Sequence, residues 1–483
     1  MINQDFLNRA EELKPVLREK EIVVGGSEKV LNDGDEIVFD FGSHYVGYLS
    51  LDFGTAGNHP DAPLMFAVQF AEIREELDQD TDAYHGWISK SWIQKEIVHA
   101  DDLPCTVQLT RRYAFRYVKL TILSTSDNYS VFVRELRART VSSADDSALK
   151  DVRMNEEDTK LDHAAVKTLH SCMQDVFEDG PKRDRRLWLG DLRLQALANY
   201  ETFNSNDLVA RCLYLFAGST LENGRLASNV FVRPEPECDY QTMFDYTLFF
   251  ISILWDYYCH TKDKKTLEDL EPVCMKQYAL LADCFDENDL IDTEKAGNIF
   301  IDWNFELDKQ AAGQAVWLYA VNDLVHIEKE LGHETAVIEA DIEKKKAAAL
   351  MLFDEASGLF VSGKDRQVSW MSQIWMILAK VVDEKTGRAV LENIETVKDA
   401  VGMNSPYAYH HYIQALIDCS EKQKAYEKMH SYWGGMLANG SDTFWELYNP
   451  EDPSASPYGG IAVHSFCHAW SCTPAYFLRK YYY

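Results

Sequence analysis

The apolar pattern of this chain changes period once, near residue 142, and that switch constrains the fold more than any other feature. Before it, residues 36–42, 45–53, 64–70, 105–110, 116–122 and 129–135 alternate β-branched or aromatic side chains with polar ones. Turn signals such as Asn32-Asp33-Gly34 separate these runs. Period two puts every second side chain on one face, so the pattern predicts an antiparallel β-sandwich over residues 29–141. After the switch, apolar residues recur at helical spacing, as at Ala311, Ala312, Ala315, Val316, Tyr319 and Leu324. About twelve such segments fall between 158 and 480. Paired as six hairpins they would make an (α/α)6 barrel; periodicity alone leaves an irregular bundle beside it. A chain of 483 residues exceeds the roughly 250–300 that one core supports, so more than one domain is required. The expected division is an N-terminal extension over 1–28, the sandwich over 29–141, a Ser/Asp-rich linker over 142–157 and the barrel over 158–483.

Asp and Glu outnumber Lys and Arg by 78 to 48, a formal net charge of −30. A field of that sign repels nucleic acid and anionic membrane surfaces, so a neutral or cationic small molecule is the expected partner. A homodimer is the one protein association the reading leaves open. The N-terminus lacks the basic-then-apolar order of a signal peptide, and no run reaches the roughly 18 apolar residues of a spanning helix. A cytoplasmic location is therefore expected. The ten Cys are scattered without zinc-site spacing, which reads as reduced core thiols with no metal. No P-loop, GxGxxG, HExxH or nucleophile elbow is present, and no cofactor is expected.

The unusual residues collect between the expected helices. Residues 178–191 hold Glu178, Asp179, Asp184 and Asp191, four cations including Arg183, and Trp188. Gly180-Pro181 stops a helix entering this stretch, and Asp191 is placed to N-cap the next one. By charge alone it could equally be a solvated ion-pair loop. Three acid–tryptophan pairs, Trp188/Asp191, Asp302/Trp303 and Trp445/Glu446, recur in such loops. Sugars offer apolar C–H faces to aromatic rings and hydroxyls to carboxylates, so the pairs suit a carbohydrate pocket. Glycoside hydrolysis then needs one protonated carboxyl and one carboxylate, and the crowding of Asp179, Asp184 and Asp191 could raise one of their pKa values. The residues leave open another (α/α)6 glycosidase or a non-catalytic sugar-binding protein.

Asp179-Gly-Pro-Lys-Arg-Asp-Arg-Arg-Leu-Trp-Leu-Gly-Asp191 resembles the signature loop of the α-L-rhamnosidases of glycoside hydrolase family 78. Asp442-Thr-Phe-Trp-Glu446 is similar to the family's second signature, and Cys467-His-Ala-Trp-Ser471 to its closing segment. The resemblance implies an inverting hydrolase of small rhamnosides, with L-rhamnose at subsite −1. It places Asp184 where the family's general acid lies and Glu446 where its general base lies. It also implies sugar contacts from Asp179, Arg183, Trp188, Asp191, Trp303 and His468, to which the acid–aromatic pairing adds Asp302. Two departures stand out. The family's acid is often Glu, one methylene longer than Asp184. The chain also ends at Tyr483, where many members continue into further β-domains, which implies small glycosides rather than polymers as substrates.

Overall fold

The computed structural model describes residues 2–483. Strands β1 (Arg18–Gly25), β2 (Glu36–Gly57), β3 (Leu64–Ala71), β4 (Lys95–Ala100), β5 (Cys105–Gln108), β6 (Tyr113–Ser124) and β7 (Tyr129–Ser142) form one antiparallel sheet. Its order is β1-β7-β2-β6-β3-β4, with β5 on β2. Alternate residues of the strands, among them Leu49, Leu51 and Phe53, Phe66, Val68 and Phe70, and Val118, Leu120 and Ile122, meet in a single core. The sequence pattern divides β2 into two runs, but it is one strand of 22 residues. Its register shifts between Asp40 and Tyr45, where Gly42 adopts φ 76° and donates its N–H to Asp40 Oδ1 at 2.7 Å. Both sides of the irregularity pair with β6, and from Gly47 onward the strand pairs with β7.

Residues 2–28 are not a separate extension. A short helix, α1 (Gln4–Glu12), packs on a helix of the barrel, and β1 pairs residue for residue with β7 from Arg18↔Ser142 to Gly25↔Glu135. The first half of β1, Arg-Glu-Lys-Glu, is exposed on both sides and therefore shows no alternation.

The helical part begins at α2 (Glu156–Cys172), N-capped by Asn155 through a 2.8 Å bond from the Asp158 N–H. Then come α3 (Leu189–Glu201), α4 (Asn206–Gly218), α5 (Phe244–Thr261), α6 (Lys264–Leu280), the single-turn α7 (Thr293–Ala296), α8 (Gln310–Leu331) and α9 (Ala336–Leu350). The set closes with α10 (Trp370–Leu378), α11 (Glu384–Ile394), α12 (Pro406–Asp418) and α13 (Lys422–Ala438). Neighbours in space run α3, α5, α8, α10, α12 and return to α3 through the 3₁₀ turn Ala469–Ser471. Helices α4, α6, α9, α11 and α13 pack behind this ring, and α2 packs behind α14 (Pro474–Phe477). This is the six-hairpin (α/α)6 barrel. Inner helices are apolar all round, as α5 is, whereas an outer one such as α9 buries only a stripe of Ile338, Ile342, Lys345, Ala348 and Ala349.

Two local expectations change. Asp191 is not the N-cap of α3. Leu187 and Trp188 pair as a strand with Val230 and Asn229 and lead straight into the helix, so Asp191 sits in its first turn. Helical spacing in the sequence extends over 464–480, but the last helix starts only at Pro474. Residues before it spend their backbone groups on two loops: His468 N–H donates to Phe444 O at 2.8 Å and Ala469 N–H to Asp179 O at 2.7 Å. All ten cysteines are free thiols. Among the described residues no helix is long and apolar enough to cross a membrane.

Candidate active site

A cavity of about 410 Å³ opens at one end of the barrel. Loop 178–191 supplies Asp179, Arg183, Asp184, Trp188 and Asp191 to its wall, and later barrel loops supply Trp303, Glu446, Tyr458 and His468. The excursion between β3 and β4 contributes Trp87 and Trp92. It is tied down where the Trp87 indole donates to Pro457 O at 2.7 Å and the Tyr84 hydroxyl to Tyr458 O at 2.9 Å. The sheet thus roofs a site built on the barrel.

The sheet also fixes the central loop from behind. Arg112 donates to both oxygens of Glu178, at 2.9 and 2.7 Å. Buried Lys182 pairs with Glu76 and donates to His464 O at 2.7 Å. Glu72 accepts the Phe466 N–H at 2.7 Å, and Asp442 accepts from Ser43 Oγ and the His44 N–H, each at 2.8 Å. Within the loop, a Cβ on Gly180 would come within 2.9 Å of Ser465 Oγ and 3.3 Å of Cys467 O, so only glycine lets the two segments approach. Asp184 and Arg185 take φ of 60° and 55°. Asp tolerates this left-handed region better than most residues because its short polar side chain bonds locally. The backbone therefore gives a physical reason for Asp at the position where the resembling family often has Glu.

The charges converge on one cation. Arg183 donates through Nη2 to Glu446 Oε2, stands 3.3 Å from Asp184 Oδ1 through Nη1, and donates Nε–H to Val463 O at 3.0 Å. The other Glu446 oxygen accepts the Tyr458 hydroxyl, and the Arg183 guanidinium lies 4.0 Å from the Tyr458 ring centroid. Glu446 is held from its own backbone as well, because Trp470 Nε1 donates to its carbonyl at 3.0 Å. Asp179 accepts the Arg186 N–H at 2.9 Å. Burial, then repulsion from Asp184 and Asp191, pushes the Asp179 carboxyl well above the usual carboxylate range. Asp191 is raised by burial and opposed by His468, whose Nε2 lies 3.0 Å from Asp191 Oδ1. Burial likewise holds the Tyr458 phenol neutral. The site offers an Asp179 carboxyl whose pKa is raised by burial, a neutral phenol and two carboxyls bridged by a guanidinium, framed by tryptophans.

Of the residues singled out in the sequence, Asp179, Arg183, Asp184, Trp188, Asp191, Trp303, Glu446 and His468 all reach the cavity. Asp302 does not. Its oxygens accept the Trp303 N–H at 2.8 Å, the Asn404 N–H at 2.7 Å and the Ser405 hydroxyl at 2.5 Å, and burial pushes its pKa up to about 6. It braces the loop that presents Trp303. Trp445 is also core, beside a cavity-lining Glu446, because neighbours on an extended chain point to opposite sides. Tyr458 and Phe300 line the cavity without having been signalled, and Tyr246 and Trp470, the latter from the closing segment Cys467–Ser471, line it as well. Only the length of the Gly/Pro/Ser-rich stretch around Tyr458 could have drawn attention there. His44, Glu72 and Cys467 bring three donor atoms within 4.8 Å of one another and could hold a metal ion, but His44 Nε2 already lies 3.0 Å from Glu72 Oε1.

A family model described as the glycosyl hydrolase family 78 alpha-rhamnosidase N-terminal domain matches residues 13–140. Another, described as the bacterial alpha-L-rhamnosidase 6 hairpin glycosidase domain, matches residues 155–482. Among solved structures, a rhamnosidase from Klebsiella oxytoca with rhamnose bound is 40% identical with a TM-score of 0.95, over 100% of this chain and 99% of that one. A family 78 rhamnosidase of Bacillus sp. GL1 is 20% identical with a TM-score of 0.78, over 93% of this chain and 47% of that one. A family 63 mannosylglycerate hydrolase from Thermus thermophilus is 13% identical with a TM-score of 0.52, over 66% of this chain and 99% of that one. These last two likenesses concern the fold. No curated protein matches the chain.

Proposed function

This chain belongs to glycoside hydrolase family 78 and is a glycoside hydrolase of the α-L-rhamnosidase kind, and on that premise we propose that it removes terminal α-L-rhamnose from small rhamnosides by a single displacement with inversion. The observation that carries the mechanism is the Arg183 bridge, which holds Asp184 and Glu446 in one cavity from two distant loops. Inversion asks for two carboxyls about 6.5–9.5 Å apart with a water between them, and Arg183 keeps this pair on either side of its guanidinium. Asp184 gives its proton to the glycosidic oxygen as the bond to the anomeric carbon breaks. Glu446, oriented by Arg183 and Tyr458, takes a proton from a water that attacks the opposite face. Asp179 and Asp191 bind ring hydroxyls, while Trp188 and Trp303 present faces to the sugar. Rhamnose in the Klebsiella oxytoca neighbour supports this choice of sugar.

A panel of p-nitrophenyl glycosides tests the reading. The α-L-rhamnoside should be hydrolysed well and the others hardly. Efficient turnover of a different glycoside alone would refute the sugar assignment.

A further inference from the structure

Beside the candidate active site lies a second cavity of about 380 Å³, and Asp184 and Arg186 belong to the walls of both. Its wall contains Arg112, Arg139, Arg185, Arg186 and Arg233 against three carboxylates. In a chain of net charge −30 this is a local reversal of sign. Four of the arginines have acidic partners: Arg112 has Glu178 at 2.7 Å, Arg186 has Asp239 at 3.8 Å, Arg139 has Glu19 and Arg233 has Asp175.

Arg185 differs. Its Nε–H donates to Pro181 O at 2.8 Å and its Nη2 to Arg112 O at 2.8 Å and Lys182 O at 3.4 Å, all neutral carbonyls. Among the described residues none forms an ion pair with it. Burial and the neighbouring Arg112 push its pKa down to about 10, the mark of a cation whose charge is incompletely offset. Three carbonyls fix the plane of the fork, so little freedom is lost when an anion meets its remaining edge.

The general acid must touch the glycosidic oxygen, so the leaving group lies on the Asp184 side, next to this cavity. We propose that the arginine-rich cavity is a leaving-group subsite for a uronic acid residue, whose carboxylate docks on Arg185. The inference rests on the rhamnosidase reading and adds the class of aglycone to it. It also replaces, for this side of the site, the neutral or cationic ligand suggested by whole-chain charge.

The test compares kcat/KM for an α-L-rhamnosyl-D-galacturonic acid disaccharide and its neutral methyl ester, with p-nitrophenyl α-L-rhamnoside as reference. The acid should be preferred about tenfold or more, as for one charge-assisted hydrogen-bond pair, and the preference should shrink at high salt. Arg185→Met should abolish the acid-to-ester ratio, and Arg185→Lys should retain part of it. Arg139→Gln, on β7 and away from the loop, should lower the ratio without the risk of a misfolded loop. Equal rates for acid and ester, failure to cleave either while the nitrophenyl glycoside is cleaved, or an unchanged ratio in Arg185→Met would overturn the proposal. If the nitrophenyl glycoside resists as well, the rhamnosidase reading is what fails. The subsite is then decided by calorimetry, where D-galacturonate binding without its methyl ester supports it and equal or absent binding refutes it.

Discussion

Loop 178–191 and the outer face of β1 and β7 are both dense in opposite charges, and as bare sequence they look alike. On the sheet, the side chains of Arg137 and Glu21 are 48% and 59% exposed, and Arg139 and Glu19 are each 52% exposed. Around the loop, Lys182 and its partner Glu76 are 1% and 3% exposed, and Arg183 and Glu446 4% and 3%. Exposed pairs are solvated with or without a partner and contribute little. Buried ones have traded water for each other, and each becomes expensive once its partner is gone. Charge density therefore does not mark a site. What separates the two is surroundings: Gly180-Pro181 turns the loop into the protein, and backbone carbonyls and the Tyr458 phenol complete the shells of its ions.

Removing charge from the two regions should give very different results. The largest effect is on chemistry: Asp184→Asn and Glu446→Gln should each lower kcat by roughly 10²–10⁴-fold, as loss of a general acid or base does. The thermal midpoint should stay close to wild type in Asp184→Asn and fall in Glu446→Gln, which leaves the buried Arg183 without its partner. A folded, fully active Glu446→Gln enzyme would remove the base from the mechanism. Next comes Glu76→Gln, which strands Lys182 in the interior and should cost about 3–5 kcal/mol in urea unfolding. A loss below about 1 kcal/mol would mean that water reaches Lys182 and that the contrast with the sheet is overstated.

A smaller effect is read from pH. Asp179 is raised in the folded state, so folding binds a proton that the unfolded chain, with its carboxyl near pKa 3.9, has released. That contribution is complete below about pH 4 and is lost as pH rises towards the folded pKa, with a slope of up to about 1.4 kcal/mol per pH unit. Asp179→Asn should flatten this decline, as followed by unfolding at several pH values; an unaltered slope would show that Asp179 is ionised in the native protein. The smallest effect belongs to the sheet, where Glu21→Gln should change stability by less than about 0.5 kcal/mol.

Much of the fold was legible because alternation and helical spacing are consequences of burial, and both cores are large enough to impose them. Where burial is absent or one-sided the pattern fades, as in the polar first half of β1. The final helix was over-read because residues before Pro474 are apolar for another reason, being packed beneath two loops with their N–H groups bonded across to Phe444 and Asp179. In the site, composition located the loops but not the direction of each side chain. Asp302 and Trp303 are adjacent, and only the tryptophan faces the cavity. Tyr458, which holds Glu446, comes from a Pro/Ser/Gly-rich stretch with no periodicity to flag it. The roles of Asp184 and Glu446 came from family resemblance, since many acidic residues satisfy the chemical requirement equally well on paper.

Everything proposed for the mechanism depends on Asp184 and Glu446 working on opposite faces of the anomeric carbon. Proton NMR of the first minutes of p-nitrophenyl α-L-rhamnoside hydrolysis addresses this without any substitution. Inversion predicts that β-L-rhamnose appears first and that the α anomer accumulates only by mutarotation. If the α anomer is the first product, the reaction proceeds with retention, and the assignment of Glu446 as a base acting through water is wrong.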